Sequence, residues 1–215
     1  MSRTLAIVIT LISAVTLVSS CKIKKTPSKE ELAASSNKFN PAQMVEDIWS
    51  TKLIPHFKDK AGEFSDVRSA EIVDPNLAGE KFGHKQKAGN APWTYLVHME
   101  AIIISANTES RASTIDIDND NDGVADASIQ IGPAIRGTAL RDSLDFISFN
   151  DFTNQIEYAQ FGKAFNNYAK KSFLNDLPRD ALVGQTVRLL GSYQHKNSSS
   201  LPLITPAELS ISAAQ

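Results

Sequence analysis

Cysteine is almost missing from this chain: Cys21 is the single thiol in 215 residues. The body beyond it therefore has no disulfide framework, no Cys-based zinc site and no thiol nucleophile. Histidine is sparse as well. His56, His84, His98 and His195 stand singly, and no HExxH pair, GxSxG elbow or GxxxxGK[ST] loop occurs, so no motif supports catalysis. Each lone histidine reads as a surface or satisfied core residue, and the chain reads as a non-enzyme. An excess of positive charge is also lacking: 22 bases face 24 acids, for a formal net charge of −2. That balance lacks the footprint of a nucleic-acid binder. Finally, no apolar run reaches the roughly 20 residues a membrane-spanning helix needs.

The longest apolar run, Leu5 to Val18, follows Arg3 and ends in Val18, Ser19, Ser20, Cys21. A positive start, a short uncharged apolar stretch and small residues before a cysteine form a bacterial lipoprotein signal. Residues 1–20 are then a signal peptide, and Cys21 becomes the lipidated N-terminus, its acyl chains (palmitate among them) anchoring the protein to the membrane. The expected location is the periplasmic side of a bacterial membrane. Lys22, rather than aspartate, follows the cysteine, which favours the outer membrane over the inner. Residues 21–39 are polar and read as a flexible tether, whose Lys22, Lys24, Lys25 and Lys29 either face lipid headgroups or keep the linker solvated.

Residues 40–90 read as an N-terminal helical extension packed on the body. Asn40 followed by Pro41 predicts a helix start. Met44, Val45, Ile48, Trp49 and Leu53 give it one apolar stripe, and Pro55 is its expected limit. A second helix is expected over Ser65–Leu77, followed by a loop over Gly79–Gly89.

From residue 91 the texture turns to strands. Trp93 to Ile104 is rich in aromatic and branched side chains. Ile115 and Ile117, then Ala125, Ala127, Ile129 and Ile131, alternate with polar partners as a hairpin does. Asp145–Phe149 is expected as a short strand, a helix follows from Asp151 or Thr153 to Leu177, and strands are expected over Thr186–Leu190 and Leu203–Ile211. Three strands, a helix and two strands is the order of the oligonucleotide/oligosaccharide-binding (OB) barrel. The expected fold is therefore β-rich α+β: an OB-like five-stranded barrel over residues 91–215, with a helix between strands three and four and the N-terminal helical segment added.

Three segments can carry chemistry. Asp118, Asp120, Asp122, Gly123 and Asp126 follow the spacing DxDxDGxxD, in which alternate carboxylates converge on a hard cation, with the Val124 carbonyl as the next ligand. Calcium is the natural candidate. Ile129 stands where an EF-hand needs its bidentate glutamate, so the loop is not a complete EF-hand, and a plain Asp122–Gly123 hairpin turn explains the same residues. The stretch from Gly132 to Asp142 sets Arg136, Thr138, Arg141 and Asp142 among glycines, a loop able to grip an anion or vicinal hydroxyls. Its bland alternative pairs Arg141 with Asp142 or Asp145 and Arg136 with the acidic hairpin. Asn154 and Gln155 can exchange hydrogen bonds with sugar hydroxyls, while helix capping explains such residues equally well.

The stretches IQIGPAIRGTALRD, FISFNDFTNQIEYA, VGQTVRLLGSY and LITPAEL resemble a family of predicted periplasmic lipoproteins of unknown function, whose members are often encoded beside ribose-type sugar ABC transporters. The resemblance implies a lipid-anchored accessory or binding module, with sugar ABC transporter components among its possible partners, and it assigns no activity or ligand residues. The reading is a non-catalytic module recognising a carbohydrate or an envelope protein. A structural lipoprotein that docks another envelope protein, and a metal-dependent hydrolase built on the acidic loop, are its rivals.

Overall fold

A computed structural model describes residues 39–87 and 90–213. The expected signal peptide, Cys21 and the expected tether up to Lys38 lie outside the described residues. Among those described, no helix is long and apolar enough to cross a membrane.

Asn40 opens the first helix by accepting the Gln43 N–H at 3.2 Å, and Pro41 sits where no donor is needed. Helix α1 (Pro41–Ile48) passes through a wide π turn (Trp49–Leu53) into α2 (Ile54–Lys60). Pro55 therefore does not end the helix, contrary to expectation. In the wide turn the Ile54 N–H reaches back five residues to the Trp49 carbonyl, and Pro55 falls in the first turn of the next stretch. After a two-residue strand β1 (Gly62–Glu63), the expected single helix is two: α3 (Phe64–Val73) and α4 (Pro75–Phe82). Asp74 divides them, in extended conformation, and caps the N–H groups of Asn76 and Leu77. Helix α4 takes in the start of the expected loop, with Gly79 lying so close beneath the Trp93 ring that a Cβ there would come within 2.1 Å of it.

Strand β2 (Gly83–His84) leads to β3 (Thr94–Asn107), β4 (Thr114–Asp118) and β5 (Ala127–Gln130). Then come a short helix α5 (Ala139–Asp142), a 3₁₀ turn (Phe149–Asp151), α6 (Gln155–Ala169) with a terminal π turn (Lys170–Leu174), β6 (Thr186–Gln194) and β7 (Leu203–Ser212). The strand expected over Asp145–Phe149 is absent. Its end is instead wound into the 3₁₀ turn, where the Ser148 N–H donates to the Asp151 carboxylate at 2.8 Å, and Phe146 and Phe149 stay partly exposed.

The strands close on themselves. β3 pairs with β4, β4 with β5, β5 with β7, β7 with β6, and β6 returns to β3; all pairings are antiparallel except β5–β7. β1 and β2 add to the remaining edge of β3. The β4–β5 hairpin sets Ile115 opposite Ile129 and Ile117 opposite Ala127, so alternate residues point inward. The barrel interior holds Tyr95, Val97, Ile103, Ile117, Ile129, Val187 and Ile204, and α3 and α4 add Phe64, Val67 and Ala78 to it. A second core forms on the barrel's outer face, where Leu96, Leu190 and Ala207 meet Val45, Trp49 and Phe57 of the N-terminal helices and Phe161 and Phe165 of α6. Full burial of each such large side chain contributes about 1.5–3 kcal/mol. Trp49 belongs to this core and stacks on Tyr168 at 4.4 Å.

Candidate functional site

The start of α6 fixes the site's geometry. Asn154 caps it, its side-chain oxygen accepting the N–H groups of Ile156 and Glu157 at 2.9 and 3.0 Å, while the Glu157 carboxylate accepts the Thr153 N–H. This turns Gln155 and Tyr158, three residues apart, toward α5. There Arg141 donates from Nε and Nη2 to one oxygen of Asp142, at 2.8 and 2.6 Å, and from Nη1 to the Tyr158 carbonyl at 3.0 Å. Its guanidinium lies 3.7 Å from the centroid of the Tyr158 ring, a stacked cation–π contact. Gly162 makes the approach possible, since a Cβ there would stand 3.0 Å from Arg141 Nη1.

The other Asp142 oxygen accepts from Thr138 Oγ1 at 2.5 Å and from Gln194 Nε2 of β6 at 2.9 Å. Both charged residues are buried, with 8% of each exposed. A buried pair of this kind holds only when its remaining hydrogen-bond capacity is met, and here a threonine, a glutamine and a main-chain carbonyl meet it. Burial, reinforced by Asp142 and opposed by Arg141, raises the Tyr158 phenol above its ordinary value, so the hydroxyl is neutral at physiological pH.

Between these groups lies a cavity of about 250 Å³ lined by Gln86, Arg141, Asp142, Phe149, Gln155, Tyr158 and Gln194, with Ala91 and Pro92 at one side. Amides, one guanidinium, one carboxylate and two aromatic rings together suit a small ligand rich in hydroxyls. The structure thus brings Arg141, Asp142 and Gln155 to one cavity, with Thr138 behind Asp142, and leaves Asn154 to the helix cap. Arg136 does not meet the acidic hairpin: it is exposed, and its own main chain is held by Gln130. Sequence reasoning passed over Gln86, Phe149, Tyr158 and Gln194. The spacing of Tyr158 from Gln155, one helical turn, is the signal that groups them.

In the acidic loop, Asp118, Asp120 and Asp126 each bring a carboxylate oxygen within 4.8 Å of the others. Asp118 accepts the N–H groups of Asn121 and Gly123, and Asp126 that of Asn119. Asp122 turns instead to the Val124 N–H at 2.7 Å, outside that group. Asn121 and Gly123 have φ of 63° and 86°, the left-handed turn that lets the loop fold back on Asp118. Burial chiefly, together with Asp122, Asp126 and Asp118, raises the Asp120 carboxyl despite its hydrogen bond from the Asp122 N–H.

Three of the four histidines have side-chain partners. His195 Nδ1 lies 2.6 Å from the buried Glu71, which also takes Arg68 Nη1 at 2.6 Å and the Tyr193 hydroxyl at 2.8 Å. His56 Nε2 meets the Ser143 carbonyl at 3.0 Å, and its Nδ1 lies 3.6 Å from Asp145; His98 lies 3.1 Å from Glu63. His84 lies among His56, Asp145 and Asp142, and burial, the largest influence on it, lowers its pKa.

Comparison with known proteins follows the same outline. A crystal structure of an OB-fold protein from Thermotoga maritima MSB8 matches with a TM-score of 0.66 at 21% sequence identity, over 81% of this chain and 99% of that one. At that identity the likeness shows the fold, an OB barrel with two added strands and helices. A comparison with curated proteins finds no match. A family model described as "Predicted periplasmic lipoprotein (DUF2291)" matches residues 11–210, nearly the whole chain, and the protein belongs to that family of periplasmic lipoproteins.

Proposed function

We propose that the protein is a lipid-anchored, non-catalytic module of the periplasm that binds a small carbohydrate in the cavity between α5, α6 and β6, and so serves sugar uptake as an accessory. One observation carries this reading: the amides of Gln86, Gln155 and Gln194 share a cavity with the rings of Tyr158 and Phe149, and the mutually paired Arg141 and Asp142 form its charged wall. Sugar recognition needs both kinds of group, planar polar side chains for paired hydroxyls and aromatic faces for the C–H surface. The family's description as periplasmic supports this reading, since a periplasmic module can meet sugars before their import.

The test is a titration of the purified protein with neutral and acidic mono- and disaccharides, read as the unfolding midpoint and by calorimetry. A ligand that prefers the native state raises the midpoint. Gln155 is exposed, so Gln155→Ala should weaken binding and leave the fold intact, and Tyr158→Ala should remove binding. A flat response across the panel overturns the reading.

Docking to another envelope protein has its own support. Ile72, Val73 and Leu77, on the adjoining helices α3 and α4, are 58%, 85% and 64% exposed, more apolar surface than a solvated helix corner needs. A single reproducible crosslink to one envelope protein from a probe at Val73 would favour docking over sugar binding.

A further inference from the structure

The residues from Ile135 to Gly137 are held with unusual thoroughness for an exposed loop. Gln130, only 2% exposed, donates to the Arg136 carbonyl at 3.0 Å and accepts the Arg136 N–H at 2.8 Å. Its Nε2 also meets Thr205 Oγ1 at 2.8 Å, which ties the loop to β7. Asn166 of α6, 9% exposed, donates to the carbonyls of Gly137 at 2.9 Å and Ile135 at 3.4 Å. Two buried amides thus fix three successive peptide groups, and what they present to solvent is the Arg136 side chain. Ordering an arginine-bearing loop in this way lowers the entropy lost when the guanidinium engages a partner.

Arg136 faces a depression of about 180 Å³ whose walls include Gln130, Gln194, Lys196 and Thr205. Among the described residues, neither Arg136 nor Lys196 forms a salt bridge with an acid. Two cations with no acid partner thus border one small hollow, whose volume is enough for a carboxylate or phosphate group. Gln194 lines both this hollow and the polar-aromatic cavity, so the two spaces are neighbours across one side chain.

We propose that Arg136 and Lys196 form an anion subsite for a carboxylate or phosphate group, and that the ligand of the adjoining cavity is an acidic carbohydrate. The first half stands on the loop and its two cations; the second rests on the carbohydrate reading of the cavity.

The experiment follows the backbone amide resonances of Arg136, Gly137 and Lys196 by NMR while the protein is titrated separately with inorganic phosphate, glucose and glucuronate. Phosphate should shift these signals saturably. Arg136→Gln and Lys196→Gln should each weaken binding about tenfold, the size expected for one charge-assisted contact, and the double variant should abolish it. Both side chains are exposed, so the variants keep the fold. Glucuronate should bind about tenfold more tightly than glucose, and Arg136→Gln should remove that preference. No saturable shift with phosphate, or a shift retained in the double variant, overturns the subsite. Equal affinity for glucose and glucuronate overturns the acidic ligand and leaves the cavity reading standing. Phosphate binding without either sugar supports the subsite and overturns its link to the cavity.

Discussion

Replacement of Glu71 by alanine should cost this protein more than any single surface change. The Glu71 side chain is 2% exposed and accepts from Arg68, Tyr193 and His195, while Arg68 also donates to the carbonyls of Ser198 and Ser200 at 2.7 and 3.0 Å. One carboxylate therefore joins helix α3, strand β6 and the β6–β7 loop. Its removal leaves the Tyr193 hydroxyl buried without a partner, worth about 1–3 kcal/mol, and strips the partly buried Arg68 of its counter-charge. Breaking a buried pair in this way costs about 3–5 kcal/mol in all. In a chain of this length each kcal/mol lowers the unfolding midpoint by about 2–4 °C, which gives a fall of about 6–20 °C. Glu71→Gln, which keeps one acceptor oxygen for Tyr193 but loses the charge and turns the other acceptor into a donor, should lie between wild type and alanine. Urea unfolding at neutral pH gives the free energies, and hydrogen exchange should show α3 and residues 195–200 opening first. A loss below about 1 kcal/mol, the scale of an exposed pair, would refute the claim that this carboxylate fastens the helices to the barrel.

Burial holds the His84 pKa below its ordinary 6.5. The unfolded chain therefore takes up a proton first, and stability present above that value is lost as pH falls through it toward the folded pKa; His84→Gln should flatten the acid limb of the unfolding curve, and an unchanged limb would count against the burial argument. Burial foremost raises the phenols of Tyr95, Tyr158 and Tyr193, so their contribution is full below pH of about 10 and declines above it. Ultraviolet titration should show the Tyr95 and Tyr193 phenolates emerging only together with loss of the native circular dichroism; phenolates formed in the intact fold would contradict this. The calcium expected from the spacing of Asp118, Asp120 and Asp126 is checked by adding the ion: the unfolding midpoint should rise saturably in wild type and not in Asp120→Ala, and an unresponsive wild type would retire the ion.

The barrel was legible because its strands obey a simple rule. Ile115, Ile117, Ile129 and Ile131 alternate with polar neighbours, and burial on one face is what alternation encodes. Where the reading failed, a local hydrogen bond competed with the pattern. Phe146 and Phe149 have strand composition, but Asp151 takes the Ser148 N–H and winds the end of the segment into a 3₁₀ turn. Pro55 has the look of a helix stop, but a π turn just before it absorbs the register change. The site was half legible. Arg141 and Asp142 stood out as charges among glycines, whereas Gln194 and Gln86 reach the cavity from elements far away in sequence, and only the closure of the sheet puts them there. Glu71 could not be singled out, because its partners Tyr193 and His195 lie more than 120 residues away.

At the root of the described chain, the Phe39 ring meets Phe152 edge-on at 6.1 Å, and Phe152 in turn lies 5.2 Å from Tyr158. Three rings in series thus run from the first described residue to the wall of the polar-aromatic cavity. A ring displaced at either end of this series has a packed neighbour to displace in turn, so Phe39 and the cavity wall share one steric constraint.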